Sequence, residues 1–67
     1  MGRTTSGAVR PLASPAEVAE FLGVSVSTLV DWRYRRRGPA WATVGRHVRY
    51  RWSDVERWLT AQITEAA

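Results

Sequence analysis

Apolar residues recur at helical spacing just after Ser14, where Val18, Phe21 and Leu22 fall on one side of a short helix. Ser14-Pro15-Ala16-Glu17 supplies its start: a serine N-cap, proline at the first helical position and glutamate three residues after the cap. Gly23 ends it after about two turns, and Ser25 is placed to cap a second helix from about Val26 to Arg37. Gly38-Pro39 stops that helix, since proline cannot continue it, and Arg35, Arg36 and Arg37 complement the negative end of its dipole. From Trp41 to Trp52 the period changes to two. Val48, Tyr50 and Trp52 then face one way and His47, Arg49 and Arg51 the other, with Gly45-Arg46 as the hairpin turn. Ser53-Asp54-Val55-Glu56 repeats the capping-box pattern and opens a third helix to about Thr64, whose apolar stripe is Val55, Trp58, Leu59 and Ile63.

The reading is therefore mainly α, with three helices and a small two-stranded hairpin between the second and third. That order is a winged helix-turn-helix. A lone hairpin is marginal in water, so it must lie against the helices, with Val48 and Tyr50 inward. Residues 1–13 are small and polar without a period and read as a flexible tail; the domain spans 14–64.

The chain has 67 residues and no cysteine, which allows one small domain whose core must come from apolar side chains. Trp32, Trp52 and Trp58 stand beside apolar neighbours at core-like spacing, whereas Trp41, just after Gly38-Pro39, is placed to cover the hairpin base. No apolar run approaches the ~20 residues of a membrane span, and the N-terminus has no signal-like core. A cytoplasmic, nucleoid-associated protein is the expectation.

Charge changes the picture more. The net charge is +4 and every basic residue is arginine. Guanidinium binds phosphate bidentately and stacks on flat groups, so an anionic partner, usually nucleic acid, is favoured. An enzyme is not expected, and neither a cofactor nor a metal. His47 is the only histidine, no catalytic triad or phosphate loop is present, and Glu17 and Glu56 read as capping residues.

At ~100° per residue, with Leu29 taken as inward, Val26, Trp32, Arg33 and Arg36 lie within ~60° of the core direction. Ser27, Asp31, Tyr34 and Arg35 occupy the opposite arc, with Thr28 at its edge. Such an arc suits a recognition helix in the major groove of double-stranded DNA. Ser27 and Thr28 can contact phosphates or base edges, Asp31 can accept from cytosine N4, and Arg35 can reach guanine or phosphate. Ser25, Arg36 and Arg37 are further candidates for phosphate. At the hairpin, Arg46 at the tip with His47 and Arg49 forms a projecting basic loop suited to a narrow minor groove. The alternatives are a merely solvated polar face, an RNA-binding module or a protein-interaction module. His47 fits phosphate contact and simple exposure equally.

The segments SPAEVAEFLGVSVSTLVDWRYRRRGP and VGRHVRYRWSDVERWL together resemble the excisionase and AlpA-like helix-turn-helix family, relatives of the MerR DNA-binding domain. The resemblance runs from Leu12 to Leu59. It implies a winged helix whose second helix enters the major groove and whose wing enters the minor groove. Arg46 matches the arginine that follows the wing glycine in phage excisionases. Ser27, Asp31 and Tyr34 match base-reading positions, where lambda-type excisionases carry longer charged residues; a different site and a role for Asp31 in buttressing an arginine follow. Two functions fit the resemblance. One is a recombination directionality factor that binds tandem sites cooperatively, bends DNA and steers an integrase; the other is a small transcription regulator. MerR proteins carry a long dimerisation helix after this domain, so neither a stable coiled-coil dimer nor a small-molecule effector is expected here. A bacterial or phage-encoded protein is implied.

Overall fold

The structure, a computed structural model, describes residues 11–63. Its elements are α1 (Pro15–Leu22), α2 (Val26–Tyr34), β1 (Ala42–Val44), β2 (His47–Arg49) and α3 (Trp52–Gln62). The two strands pair antiparallel, with Ala42 opposite Arg49, Thr43 opposite Val48 and Val44 opposite His47. Three helices with a hairpin between α2 and α3 make a small winged helix-turn-helix, as the sequence pattern predicts.

α1 forms as its first four residues dictate. The Ser14 hydroxyl accepts from the Glu17 amide at 3.2 Å, and the Glu17 carboxylate accepts from the Ser14 amide at 2.8 Å. Two amides that the first turn cannot use are thereby satisfied. At its far end the Gly23 amide reaches the Glu20 carbonyl and the Val24 amide reaches Ala19, a Schellman closure that carries half-buried Val24 to the core. The turn Gly23-Val24-Ser25 leads directly into α2, capped by the Ser25 hydroxyl accepting from the Thr28 amide at 3.1 Å.

α2 is shorter than its sequence pattern. The expected end at Arg37 is replaced by Tyr34, with Arg35 as the cap. The Arg36 amide donates to Arg33 at 3.2 Å and the Arg37 amide to Trp32 at 2.7 Å, the same Schellman closure. Here the left-handed position is Arg36, at φ 57. Good helix propensity in an arginine run lost to this closure, which turns the chain back over Trp32 before Gly38-Pro39 is reached.

α3 starts two residues earlier than expected, at Trp52, with Arg51 in place of Ser53 as an N-cap that makes no side-chain capping bond. The Ser53 capping box is therefore not formed. Asp54 takes another role: its buried carboxylate accepts from Arg51 Nε at 2.7 Å and from Arg57 Nη1 at 3.3 Å. The hydrogen bond, and then the charge, of Asp54 hold the Arg51 guanidinium protonated more firmly than an isolated arginine. The negative group also sits in the first turn, where the helix dipole favours it. Thr64, the expected end of α3, lies outside the described residues.

The core is small: Ala13, Val18, Ala19, Leu29, Tyr50 and Val55 are buried, with Leu22, Val24, Trp32, Val48 and Trp52 packed on them. Tyr50 is inward as expected, and its hydroxyl accepts from Arg33 Nη1 at 2.9 Å, which satisfies a buried polar group. Trp58 is half-buried against Trp32, ring centroids 5.2 Å apart. Phe21 and Trp52 meet edge to face at 5.4 Å. Phe21, Val26, Leu59 and Ile63, all expected in the core, are exposed, because a domain this small buries only part of the apolar surface its elements present.

Most of the expected tail lies outside the described residues, but its last residue does not fit that description. Ala13 is wholly buried and exchanges two backbone hydrogen bonds with Tyr50, at 2.8 and 2.9 Å. A short extended segment before α1 thus lies alongside the exit from β2.

Candidate nucleic-acid interface

Two exposed elements carry the candidate residues. The first is the outer face of α2. At its N-terminus the Ser25 hydroxyl lies 3.0 Å from that of Ser27 and 2.9 Å from that of Thr28. Ser25 and Ser27 are exposed and Thr28 half-buried, so one hydroxyl caps the helix and all three sit together at its positive end. One turn further, Asp31 accepts from Arg35 Nε through both oxygens, at 2.9 and 3.0 Å. An exposed i,i+4 pair of this kind contributes only ~0.3–0.5 kcal/mol to stability. Its geometric effect is larger: the guanidinium is held by Nε, while Nη1 and Nη2 make no bond among the described residues. Tyr34 stands beside this pair and is 85% exposed, which leaves its whole ring available to a partner.

The hairpin is the second element. All of β1 is exposed, so the ribbon projects from the body and rests on it mainly through Val48. Gly45 takes φ 64 at the first turn position, as a type II′ turn requires, and Arg46 follows it at the tip. Arg46 and His47 are exposed. Arg49 is half-buried, and its Nη1 donates to the Val48 carbonyl at 2.7 Å, so its side chain folds back along the ribbon.

The arginines are thus sorted by their partners. Arg33 bonds Tyr50, and its guanidinium carbon lies 5.8 Å from the centre of the Trp41 ring, a cation–π contact that flanks the core as its helical position predicts. Arg51 and Arg57 serve Asp54. Arg36 does not flank the core: it stands beyond the helix and is exposed, because the chain has already left the helical path. The side chains of Arg36, Arg37 and Arg46 make no hydrogen bond or ion pair among the described residues. Arg33, Arg36 and Arg37 line an open groove with Tyr34 and Trp41 at the C-terminal end of α2. Trp41 is 43% exposed and faces this groove, so it does more than cover the hairpin base. The Arg33–Trp41 contact was not legible in the sequence, since only the reversal at Arg36 brings the two together.

Among the described residues no helix is long and apolar enough to cross a membrane, and no group of acidic, histidine or cysteine side chains is placed to hold a metal ion.

A short helix pair joined by a tight turn, the second helix presenting a polar and basic face beside a projecting basic hairpin, is the architecture of a nucleic-acid-binding module. The model of a helix-turn-helix domain family matches residues 14–63, which takes in every element from α1 to α3. The chain belongs to the AlpA/excisionase-type helix-turn-helix family, a family of DNA-binding domains. Among curated proteins, none matches it.

Proposed function

We propose that this protein is an excisionase, a recombination directionality factor that binds tandem sites on double-stranded DNA, bends them and directs an integrase toward excision. The observation that carries this reading is the exposed Arg46 at the tip of a projecting hairpin, next to a second helix whose outer face is polar and basic. Ser27, Thr28, Asp31, Tyr34 and Arg35 would lie in the major groove, with Asp31 orienting the Nη edge of Arg35 toward a base. Arg46 would enter the adjacent minor groove, where negative potential is strongest when the groove is narrow. Ser25, His47, Arg36 and Arg37 would contact the flanking phosphates. Arg49, folded onto Val48, would stiffen the wing and reach DNA only after giving up that bond.

The test uses end-labelled duplexes from the DNA around the gene, with binding and bending followed by fluorescence. Duplex binding should weaken with salt, with a log–log slope of about −0.9 for each phosphate contact. Arg46→Ala should bind about tenfold more weakly, a loss within the ~1–3 kcal/mol range of a specific base contact, and lose most of the bend. A variant that binds and bends like the wild type removes the wing from the mechanism. Addition of the cognate integrase should yield excised product only with the wild-type chain present. Tandem binding without stimulated excision would assign the protein to transcription regulation instead.

A further inference from the structure

We propose that Val30, with Tyr34 one turn beyond it, reads thymine through its 5-methyl group in the major groove; the proposal rests on the duplex-binding function above. The outer face of α2 is not uniformly polar. Val26, Val30 and Tyr34 follow one another at intervals of four residues and are 44%, 40% and 85% exposed. That spacing places them on a single stripe along the helix. Scattered exposed apolar residues are ordinary, but here three share one stripe, and Val30 and Tyr34 join Arg33 and Trp41 around a shallow apolar depression.

The surroundings of the stripe select its occupant. On its C-terminal side lie Arg33, Arg36 and Arg37, which line the groove continuous with Tyr34 and Trp41. Ser27 and the Asp31–Arg35 pair occupy the neighbouring arc of the same helix. A partner must therefore present dense negative charge around a few small apolar groups. Duplex DNA does so: phosphates border the major groove, and the thymine methyl is the apolar group on its floor. Cytosine, the other pyrimidine, has no methyl there. Valine suits the contact because its branched side chain has a restricted χ1 and loses little freedom on docking. Val30 and Tyr34 are separated by about 6 Å along the helix axis, close to two base steps of ~3.4 Å each. The methyl groups they read fall within one window of about three base pairs.

The experiment replaces dT by dU, which removes the methyl and preserves every hydrogen-bonding group and phosphate. Duplexes preferred by the full chain are first selected from a random library, and each dT is then exchanged singly. At one or two neighbouring positions dU should weaken wild-type binding about three- to fivefold, the value of one buried carbon group. Val30→Ala should weaken binding to the dT duplex by a similar factor and bind dT and dU duplexes equally at that position. Val30→Ser, which carries no γ-methyl, should also lose discrimination and supplies the readout if the alanine variant does not fold. Equal wild-type binding to dT and fully dU-substituted duplexes, with scrambled duplexes still rejected, overturns the thymine contact and leaves duplex recognition standing. Unchanged dT/dU discrimination in both variants also overturns it, as does an equal loss on both duplexes with the wild type insensitive to dU, the result expected if a second copy of the chain occupies the stripe. A selection that enriches no duplex overturns the proposed function, and this inference with it.

Discussion

Gly38 has φ 79, and a Cβ added there would stand 2.6 Å from Trp32 Cε3. The loop after α2 therefore crosses the indole with no room for a side chain. The obstacle is a ring that also packs against Trp58, ring centroids 5.2 Å apart, so it cannot move cheaply. Gly38→Ala should destabilise the domain by about 2–4 kcal/mol, combining overpacking with an unfavourable left-handed backbone. Chemical denaturation measures the loss, and tryptophan fluorescence should report the displaced Trp32. The sequence marks Gly38-Pro39 as a helix stop, yet the stop lies upstream and the glycine serves close approach. Contacts of this kind depend on the path of the loop, which local pattern does not encode. The arginines divide similarly. Helical period alone turned Arg33 inward, whereas the partners of Arg49 and Arg51 depended on strand and helix ends that only the folded chain defines.

At the level of elements, α1 and α2 end in the same closure with different residues, glycine at 23 and arginine at 36. A left-handed arginine carries ~1–2 kcal/mol of backbone strain, partly offset by the greater freedom glycine has when unfolded. Arg36→Gly should therefore stabilise the domain by about 0.5 kcal/mol, raising the melting temperature by roughly 2–4 °C. If Arg36 contacts phosphate, the same variant should bind duplex DNA more weakly, with a salt slope smaller by about one contact. The more stable protein would then be the poorer binder. α1 was legible to the residue because capping box, proline and glycine all lie within its eight residues and the two that flank them, Ser14 and Gly23. The hairpin was legible from its two-residue period and Gly45. The ends of α2 and α3 were not, since hydrogen bonds chosen by packing override propensity at a terminus: Trp32 to Arg37 in one case, Asp54 to Arg51 in the other. On the candidate interface, the polar arc of α2 followed from geometry. Its apolar half did not, because Val26 lies near the core direction on a helical wheel yet is left 44% exposed.

Across the whole molecule, a few buried side chains hold three short helices and a ribbon, and the chain reinforces them by pairing Ala13 with Tyr50. The family match starts at residue 14, so the boundary drawn by sequence similarity splits that pair, leaving Ala13 outside and Tyr50 inside. A chain begun at Ser14 would keep every named helix and strand but lose two backbone bonds and a buried methyl. It should be less stable than one begun at Pro11 by about 2 kcal/mol, a melting temperature lower by roughly 10 °C, read by calorimetry of the two chains. The Glu17 amide would keep its serine cap. The loss would fall instead on the exit from β2, where Tyr50 would have its backbone opened to water. Domain excision, fusion to a partner or transplantation into another protein should therefore carry Ala13 along, for the unit that folds is longer than the unit that is recognised.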